Sequence, residues 1–228
     1  MSAPLLSVVV ASVNGRPYID ACLASLHNQE HVHSAQFNNP KSKINNPKSQ
    51  IQNQQSQIIV VDRVGEGVTR FVQRDYPAVC LIATDSVFPN CKSLAELRAI
   101  GIKAARGQVI AITEDHCIAP PNWFAAILQA HNDHPPDATH PPDAIGGAVD
   151  NAATGRLLDR AVYLTEYVEF ASPVPRGPVS QLPAANVSYK RPALEAMRTS
   201  LARGYHETAL HQQMIEAGYL LWSDPSIV

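Results

Sequence analysis

Gly107-Gln108-Val109-Ile110-Ala111-Ile112-Thr113-Glu114-Asp115-His116 is a short apolar run that stops abruptly at two acids and a histidine. Val109 to Ile112 is continuous in apolar residues, the pattern of a strand buried on both faces of a parallel sheet. In open α/β sheets, ligands bind outside the carboxyl ends of the strands. Glu114, Asp115 and His116 fall at that end, and carboxylates and imidazole can all bind a divalent cation. A cation there could hold a diphosphate. The plainer reading is a polar strand-to-loop turn, because acids often end strands.

Outward from this stretch, strands and helices alternate. Leu6 to Ser12 is a β-branched run ending near the turn signal Asn14-Gly15. Pro17 to Asn28 has helical spacing, with Ile19, Cys22, Leu23 and Leu26 on one face and Pro17 in the first turn. Ile58 to Val61, ending at Asp62, and Val79 to Ala83 read as further strands, and Leu94 to Ala105 as a helix. Beyond the run at 109–112, Ala144 to Val149 and Asn186 to Tyr189 read as short strands. Leu157 to Phe170 and His206 to Ala217 read as helices, the last stopped by Gly218. Ser172 to Pro183 is a proline-rich loop, and the apolar Tyr219-Leu220-Leu221-Trp222 lies close to the last residue, an abrupt end for a sheet still being built. The alternation predicts an α/β fold with a mostly parallel central sheet flanked by helices.

One segment does not fit that rhythm. Residues 38–44 read NNPKSKI, 45–51 NNPKSQI and 52–58 QNQQSQI, a tandem repeat decaying along its length. Its Asn, Gln, Ser and Lys cannot bury enough surface to fold, and the prolines exclude a coiled coil. The expectation is one domain over 1–228 interrupted by a flexible insertion at 31–57. Lengthening a surface loop costs only ~0.6 kcal/mol per doubling. HPPDA at 134–138 and again at 140–144 makes a second, smaller loop.

Charge and cysteine usage exclude several classes. The 228 residues carry 18 Lys and Arg against 20 Asp and Glu, so no basic surface argues for nucleic acid. Cys22, Cys80, Cys91 and Cys117 form no CxxC pair, which argues against a zinc ribbon or a disulfide framework. No apolar run approaches the ~18 residues of a membrane span. The expected location is the cytoplasm, with peripheral attachment at the inner membrane face as an extension of that reading.

Several further segments carry a pattern: Ser7–Asn14 (SVVVASVN), Ile59–Asp62 (IVVD), Leu97–Ile102 (LRAIGI) with Ala105-Arg106-Gly107, and Glu114–His116 followed by Trp123. Pro183–Arg191 (PAANVSYKR) and His206–Leu210 (HETAL) with Gly218-Tyr219 complete the set. In this order they resemble a nucleotide-sugar glycosyltransferase of family 2, with the Rossmann-like GT-A fold. The resemblance implies that Glu114 and His116 stand where the family has the two aspartates of its DxD metal motif, with Asp115 between them. It implies nucleotide or donor contacts for Ser12, Asn14, Asp62, Arg98 and Asp115, and an acceptor-side role for Asn186. It makes Glu207 the catalytic base, and implies a divalent cation, Mn²⁺ or Mg²⁺. The sequence departs from the pattern at Ala11, Val13, Arg63 and Ala99, and Glu-x-His replaces Asp-x-Asp, which points either to Mn²⁺ or a similar transition metal over Mg²⁺ or to no metal at all.

The implied chemistry is transfer of a sugar from a nucleoside-diphosphate donor to a hydroxyl of a glycan, lipid or other acceptor, with inversion. Arg98 can add positive charge beside the leaving diphosphate, because guanidinium matches phosphate geometry. Glu207 can take the acceptor's proton. Each residue also has a structural reading. An acid in the first turn of a helix is favoured by the macrodipole, Arg98 can be a solvated helix residue, Asp62 can cap a turn, and Trp123 can fill the core.

Other classes fare worse. His206-Glu207-Thr208-Ala209-Leu210-His211 places its histidines one residue too far apart for HExxH. No GxGxxG follows the first strand, and no glycine-rich basic loop of a nucleotidyltransferase is present. The remaining alternative is a protein of the same fold that binds a nucleotide or glycan without turnover.

Overall fold

The computed structural model describes residues 4–29, 56–84, 90–133, 138 and 140–228. The elements are β1 (Leu6–Ser12), α1 (Tyr18–His27), β2 (Ser56–Asp62), α2 (Glu66–Asp75), β3 (Cys80–Ala83), α3 (Leu94–Ala104), β4 (Val109–Glu114) and α4 (Trp123–Asn132). Then follow β5 (Ala144–Gly146), α5 (Leu157–Tyr167), β6 (Gly177–Pro178), β7 (Val187–Lys190), α6 (Arg191–Ala196), α7 (Arg198–Leu201), α8 (Glu207–Glu216) and β8 (Leu221–Ser223). The strands form one sheet in the order β3-β2-β1-β4-β7-β5-β8-β6. β3, β2, β1 and β4 are mutually parallel, and β7 and β6 run antiparallel to their neighbours.

The apolar runs explain the layers. β1 is buried along its whole length, and its side chains alternate between faces. Leu6, Val8 and Val10 join a core with Leu23 of α1 and Ile127 of α4. Val9 and Ala11 join another with Leu97 of α3 and Leu210 and Met214 of α8. Each fully buried aliphatic side chain contributes about 1.5–3 kcal/mol, so the central strands carry much of the stability. The second core needs α3 pressed tightly on the sheet. A Cβ on Gly101 would stand 2.3 Å from Val9 Cγ1, so any larger residue would force Val9 or the helix to shift.

The structure departs from the sequence expectation at several element boundaries and in its shorter elements. The insertion was expected to run to residue 57, but β2 begins at Ser56 and pairs with β1 through Leu6↔Ser56 and Ser7↔Gln57. The tail of the third repeat is therefore strand. Gln57 Oε1 accepts from Ser7 Oγ (2.8 Å) and from the Arg106 amide (3.0 Å), which pays for a polar residue at that position. The rest of the expected insertion lies outside the described residues. The strand expected over 144–149 stops at Gly146.

The helical reading of 157–170 holds to Tyr167 and ends in a 3₁₀ turn over Val168–Phe170. The apolar residues near Trp222 form β8, which pairs parallel with β5 through Ile145↔Trp222. Helices α2 and α4 were not foreseen. Both are only ten residues long, and each earns its helix by burying one stripe: Val68, Phe71 and Val72 in α2, and Trp123, Ile127 and Ala130 in α4.

Candidate active site

The order of the parallel strands reverses at β1. β2 and β3 lie to one side of it, β4 to the other, so the crevice at the carboxyl ends of β1 and β4 is a topological switch point. Ala11 is in register with Glu114, which brings the β1 exit at Ser12–Asn14 beside the β4 exit at Glu114–His116.

Asp115 fastens the two exits together. It is fully buried, and its carboxylate accepts from the amides of Val13 (2.8 Å) and Asn14 (2.7 Å) and from Asn14 Nδ2 (2.7 Å). Burial alone would push its carboxyl group up, but hydrogen bonds from His116, Asn14 and Val13 override it and hold the group below the ordinary carboxylate value. Asp115 thus braces the loop after β1 with its side chain turned inward.

Glu114 faces the other way and gathers three partners. Arg98 Nη2 donates to Oε1, and Tyr167 OH donates to Oε2 at 3.2 Å. His116 Nε2 lies 3.3 Å from Oε2. His116 Nδ1 is 3.4 Å from Asn14 Nδ2 and 3.7 Å from Asp115 Oδ1. The Asp115 carboxylate raises the His116 pKa above its ordinary value, burial opposes this, and Glu114 adds to the rise. Glu114, His116 and Cys117 offer donor atoms that all lie within 4.8 Å of one another. One carboxylate oxygen, one imidazole nitrogen and one sulfur are a donor set that fits a divalent transition ion.

Arg98 links this corner to α8. It lies on α3, whose start is set by a capping box in which Ser93 accepts from the Glu96 amide and Glu96 reaches back to the Ser93 amide. Its guanidinium touches Glu114 on one side, and Nη1 stands 3.5 Å from Glu207 Oε2 on the other. The Tyr205 ring lies beneath it, 5.7 Å from Cζ. Tyr205 also ties α8 to α3, its amide donating to the Ala95 carbonyl at 2.8 Å.

Glu207, in the first turn of α8, is 38% exposed at its side chain and opens on a cleft of about 580 Å³ shared with Ala95, Arg98, His206 and Thr208. Burial raises the Glu207 pKa, Arg98 works against the rise and Glu114 adds to it. A carboxylate with a raised pKa and an open side toward a cleft can take a proton from a bound hydroxyl.

The remaining expected residues fall as follows. Ser12 is fully buried, and its hydroxyl has no hydrogen-bond partner among the described residues. Asp62, also fully buried, accepts from the amides of Val64 (3.2 Å) and Gly65 (3.0 Å) and so shapes the turn into α2. Asn186 sits behind the crevice, accepting from Trp123 Nε1 (2.8 Å) and donating to the Ala148 carbonyl (2.7 Å), with both ends of its amide engaged.

Two residues that touch Glu114 or its donor set were missed in sequence. Tyr167 belongs to the Tyr163/Tyr167 pair, four residues apart on α5, which stacks with centroids 6.3 Å apart. Nothing local said that one of them would reach β4. Cys117 was set aside for want of a second cysteine nearby, although its place next to His116 was the signal. Burial pushes its thiol up to about 11.

Residues 7–152 match glycosyl transferase family 2. The Glu207 segment lies beyond the matched residues. Among solved structures, the chain is similar to the mannosyltransferase PcManGT from Pyrobaculum calidifontis in complex with GDP-Man and Mn²⁺, at 17% identity and a TM-score of 0.60. That alignment covers all of this chain (100%) and 56% of PcManGT. It is also similar to S. aureus TarS 1-349, at 15% identity and a TM-score of 0.59, covering 96% of this chain and 58% of the other. A complex of TarS 1-349 with UDP-GlcNAc matches with a TM-score of 0.58. At these identities the likeness is one of fold, GT-A in both cases, and the chain spans a little over half the length of each structure (56% and 58%). No curated protein sequence matches the chain.

Proposed function

The chain belongs to glycosyl transferase family 2, and from that premise we propose that it moves a sugar from a nucleoside-diphosphate donor to an acceptor hydroxyl, with inversion at the sugar carbon. One observation carries the reading: Arg98 stands between Glu114, at the switch-point crevice, and Glu207, at the edge of an open cleft. That arrangement supports a diphosphate held near Glu114 and a proton taken up at Glu207, the two carboxylates meeting different nitrogens of one guanidinium.

The donor's nucleotide belongs at the carboxyl ends of β1 and β2. There the loop braced by Asp115 holds the Asn14 side chain at the crevice, next to the end of β1, where the buried Ser12 hydroxyl has no partner among the described residues. Asp62 serves the nucleotide by fixing the turn from β2 into α2. Glu114 and His116 would hold a divalent cation, which when bound supplies positive charge to the diphosphate as it leaves. Arg98 adds its own charge to the same side. Glu207 takes the proton of the acceptor hydroxyl from the opposite side of the sugar, so attack and departure are in line. Asn186 supports the acceptor side indirectly, holding the Trp123 and Ala148 segments together.

No described helix is long and apolar enough to cross a membrane. The proposed partners are a nucleotide sugar and a hydroxyl-bearing glycan, lipid or other acceptor met at the open cleft.

Thermal unfolding with UDP, GDP, dTDP and CDP, each with and without Mn²⁺ or Mg²⁺, tests the donor site. A nucleotide at 100 times its dissociation constant adds ~2.7 kcal/mol, or roughly 5–11 °C for a chain of this size. The expected result is a shift with one nucleotide that grows with the cation. A cooperative melt unmoved by every nucleotide would overturn the reading. A metal-dependent shift with no transfer to any acceptor would favour the second reading, a fold that binds a nucleotide or glycan without turnover.

A further inference from the structure

The turn after β4 brings together more than the residues that align with a DxD motif. The Cys117 amide donates to the Glu114 carbonyl at 3.0 Å, closing a tight turn over 114–117. Residues at the two ends of such a turn are neighbours, and His116 folds back so that its Nε2 stands 3.3 Å from Glu114 Oε2. The three donor atoms lie within 4.8 Å of one another. A tetrahedral ion with bonds of about 2.0–2.3 Å holds its ligands roughly 3.3–3.8 Å apart, so only a small inward movement of side chains is needed.

We propose that Cys117 is the third ligand of a metal site with Glu114 and His116, and that the site takes a thiophilic divalent cation of the Zn²⁺ or Co²⁺ class over Mg²⁺. The proposal rests on the reading that this corner faces the donor's diphosphate.

The ligand chemistry supports it. Mg²⁺ requires near-octahedral oxygen ligands, and this turn offers one carboxylate. Sulfur and imidazole shift preference toward Zn²⁺, Co²⁺ and their neighbours. The surroundings match what metal-bound histidines have elsewhere. His116 Nδ1 has Asn14 Nδ2 at 3.4 Å and the Asp115 carboxylate at 3.7 Å as outer neighbours, while Nε2 is turned toward the proposed co-ligand Glu114. Glu114 keeps capacity for an ion as well. Tyr167 uses one lone pair of Oε2, and Arg98 binds the other oxygen. Three protein ligands leave a position open, the arrangement of catalytic sites and the one a phosphate oxygen would need.

The test is a Co²⁺ titration of the chelator-treated chain, without nucleotide, followed by absorption. The expected result is one bound Co²⁺ with a near-ultraviolet sulfur-to-cobalt charge-transfer band. The band should be present in the C80S/C91S variant, absent in Cys117→Ser, abolished by Zn²⁺, and untouched by excess Mg²⁺. A second measurement needs no variant. Alkylation of Cys117 in the unaltered chain should slow about 100-fold at a Zn²⁺ concentration 100 times its dissociation constant.

Co²⁺ bound without the sulfur band, an unchanged band in Cys117→Ser, no Co²⁺ binding, or alkylation indifferent to Zn²⁺ would each overturn the proposal. The two readings fail separately. Full transfer activity of Cys117→Ser with Mg²⁺ would remove the cysteine ligand and leave glycosyl transfer standing. A sulfur band in a chain that binds no nucleotide would do the reverse.

Discussion

Glu114 and Glu207 share one arginine, and the rest of the molecule treats them very differently. Glu114 is 13% exposed at its side chain, ends a central strand, and is held by Arg98, Tyr167 and His116. Glu207 is 38% exposed, begins a helix, and has Arg98 at 3.5 Å as its ion-pair partner. The first is built to stay where it is. The second can approach a ligand and exchange a proton. A fixed group suits a leaving diphosphate whose position must not vary, and a freer one suits an acceptor that arrives from solvent.

The largest expected effect is on the free side. Glu207→Gln keeps the shape and removes the base, so transfer should fall by about 10²–10⁴-fold while nucleotide binding is retained. Turnover with GDP-Man and UDP-GlcNAc as trial donors, alongside calorimetry with the matching diphosphates, separates the two quantities. Unchanged turnover would mean that Glu207 is not the base and that the contrast between the carboxylates is only structural.

Arg98→Met attacks both sides at once. It leaves two acids near each other, the buried one with only Tyr167 and His116 as partners, which should cost up to about 3–5 kcal/mol in urea unfolding. Because Arg98 holds the Glu207 pKa down, the acid limb of any pH–rate profile should also move to higher pH. A shift in that limb without a loss of stability would show that Glu114 has enough partners without the arginine.

A pair of histidines sharpens the comparison. Asp115 raises the pKa of His116, whereas burial in α8 lowers that of His211 to about 4. His211 is fully buried, its Nε2 2.7 Å from Tyr189 OH. For an imidazole with a depressed folded value, the stabilising contribution is complete above the unfolded value of about 6.5. It is lost as pH falls toward about 4. The loss should be on the order of 3 kcal/mol at most. His211→Gln should flatten that part of the stability curve, measured by denaturant unfolding at a series of pH values.

The smallest effect should come from Tyr167→Phe. Removing one hydrogen bond to a carboxylate should cost about 1.5 kcal/mol, read in the same unfolding experiment. A larger loss of transfer than of stability would mean that Tyr167 positions Glu114 for the donor as well as holding α5 down.

How much of this could be read from residues alone depends on whether the signal was local. Apolar runs such as Val8–Val10 and Val109–Ile112 announce buried strands because every residue in them is buried, whichever way it faces. Helix α3 was plain from its spacing. The short helices α2 and α4 were not, because ten residues of mixed polarity say little until a core is present to receive Phe71 or Trp123. The end of the repeat was misread for the converse reason. Ser56 and Gln57 look like linker, and only Ser7 and Arg106, far away in the chain, turn them into strand.

The same division runs through the candidate site. By itself the sequence determined the chemical types and their order: an acid and a histidine closing β4, an arginine on a helix, and a later acid opening another. The acid and histidine follow from the apolar run that ends at them, and the arginine and the later acid from the ordered motifs that resemble family 2. Tertiary structure alone decided which of them meet. It turned Asp115 inward onto the loop after β1, spent Asp62 and Asn186 on internal hydrogen bonds, brought Tyr167 to Glu114, and set Arg98 between two carboxylates. Contacts between residues tens of positions apart depend on the winding of the sheet and on which face each strand residue presents, and no local pattern records either.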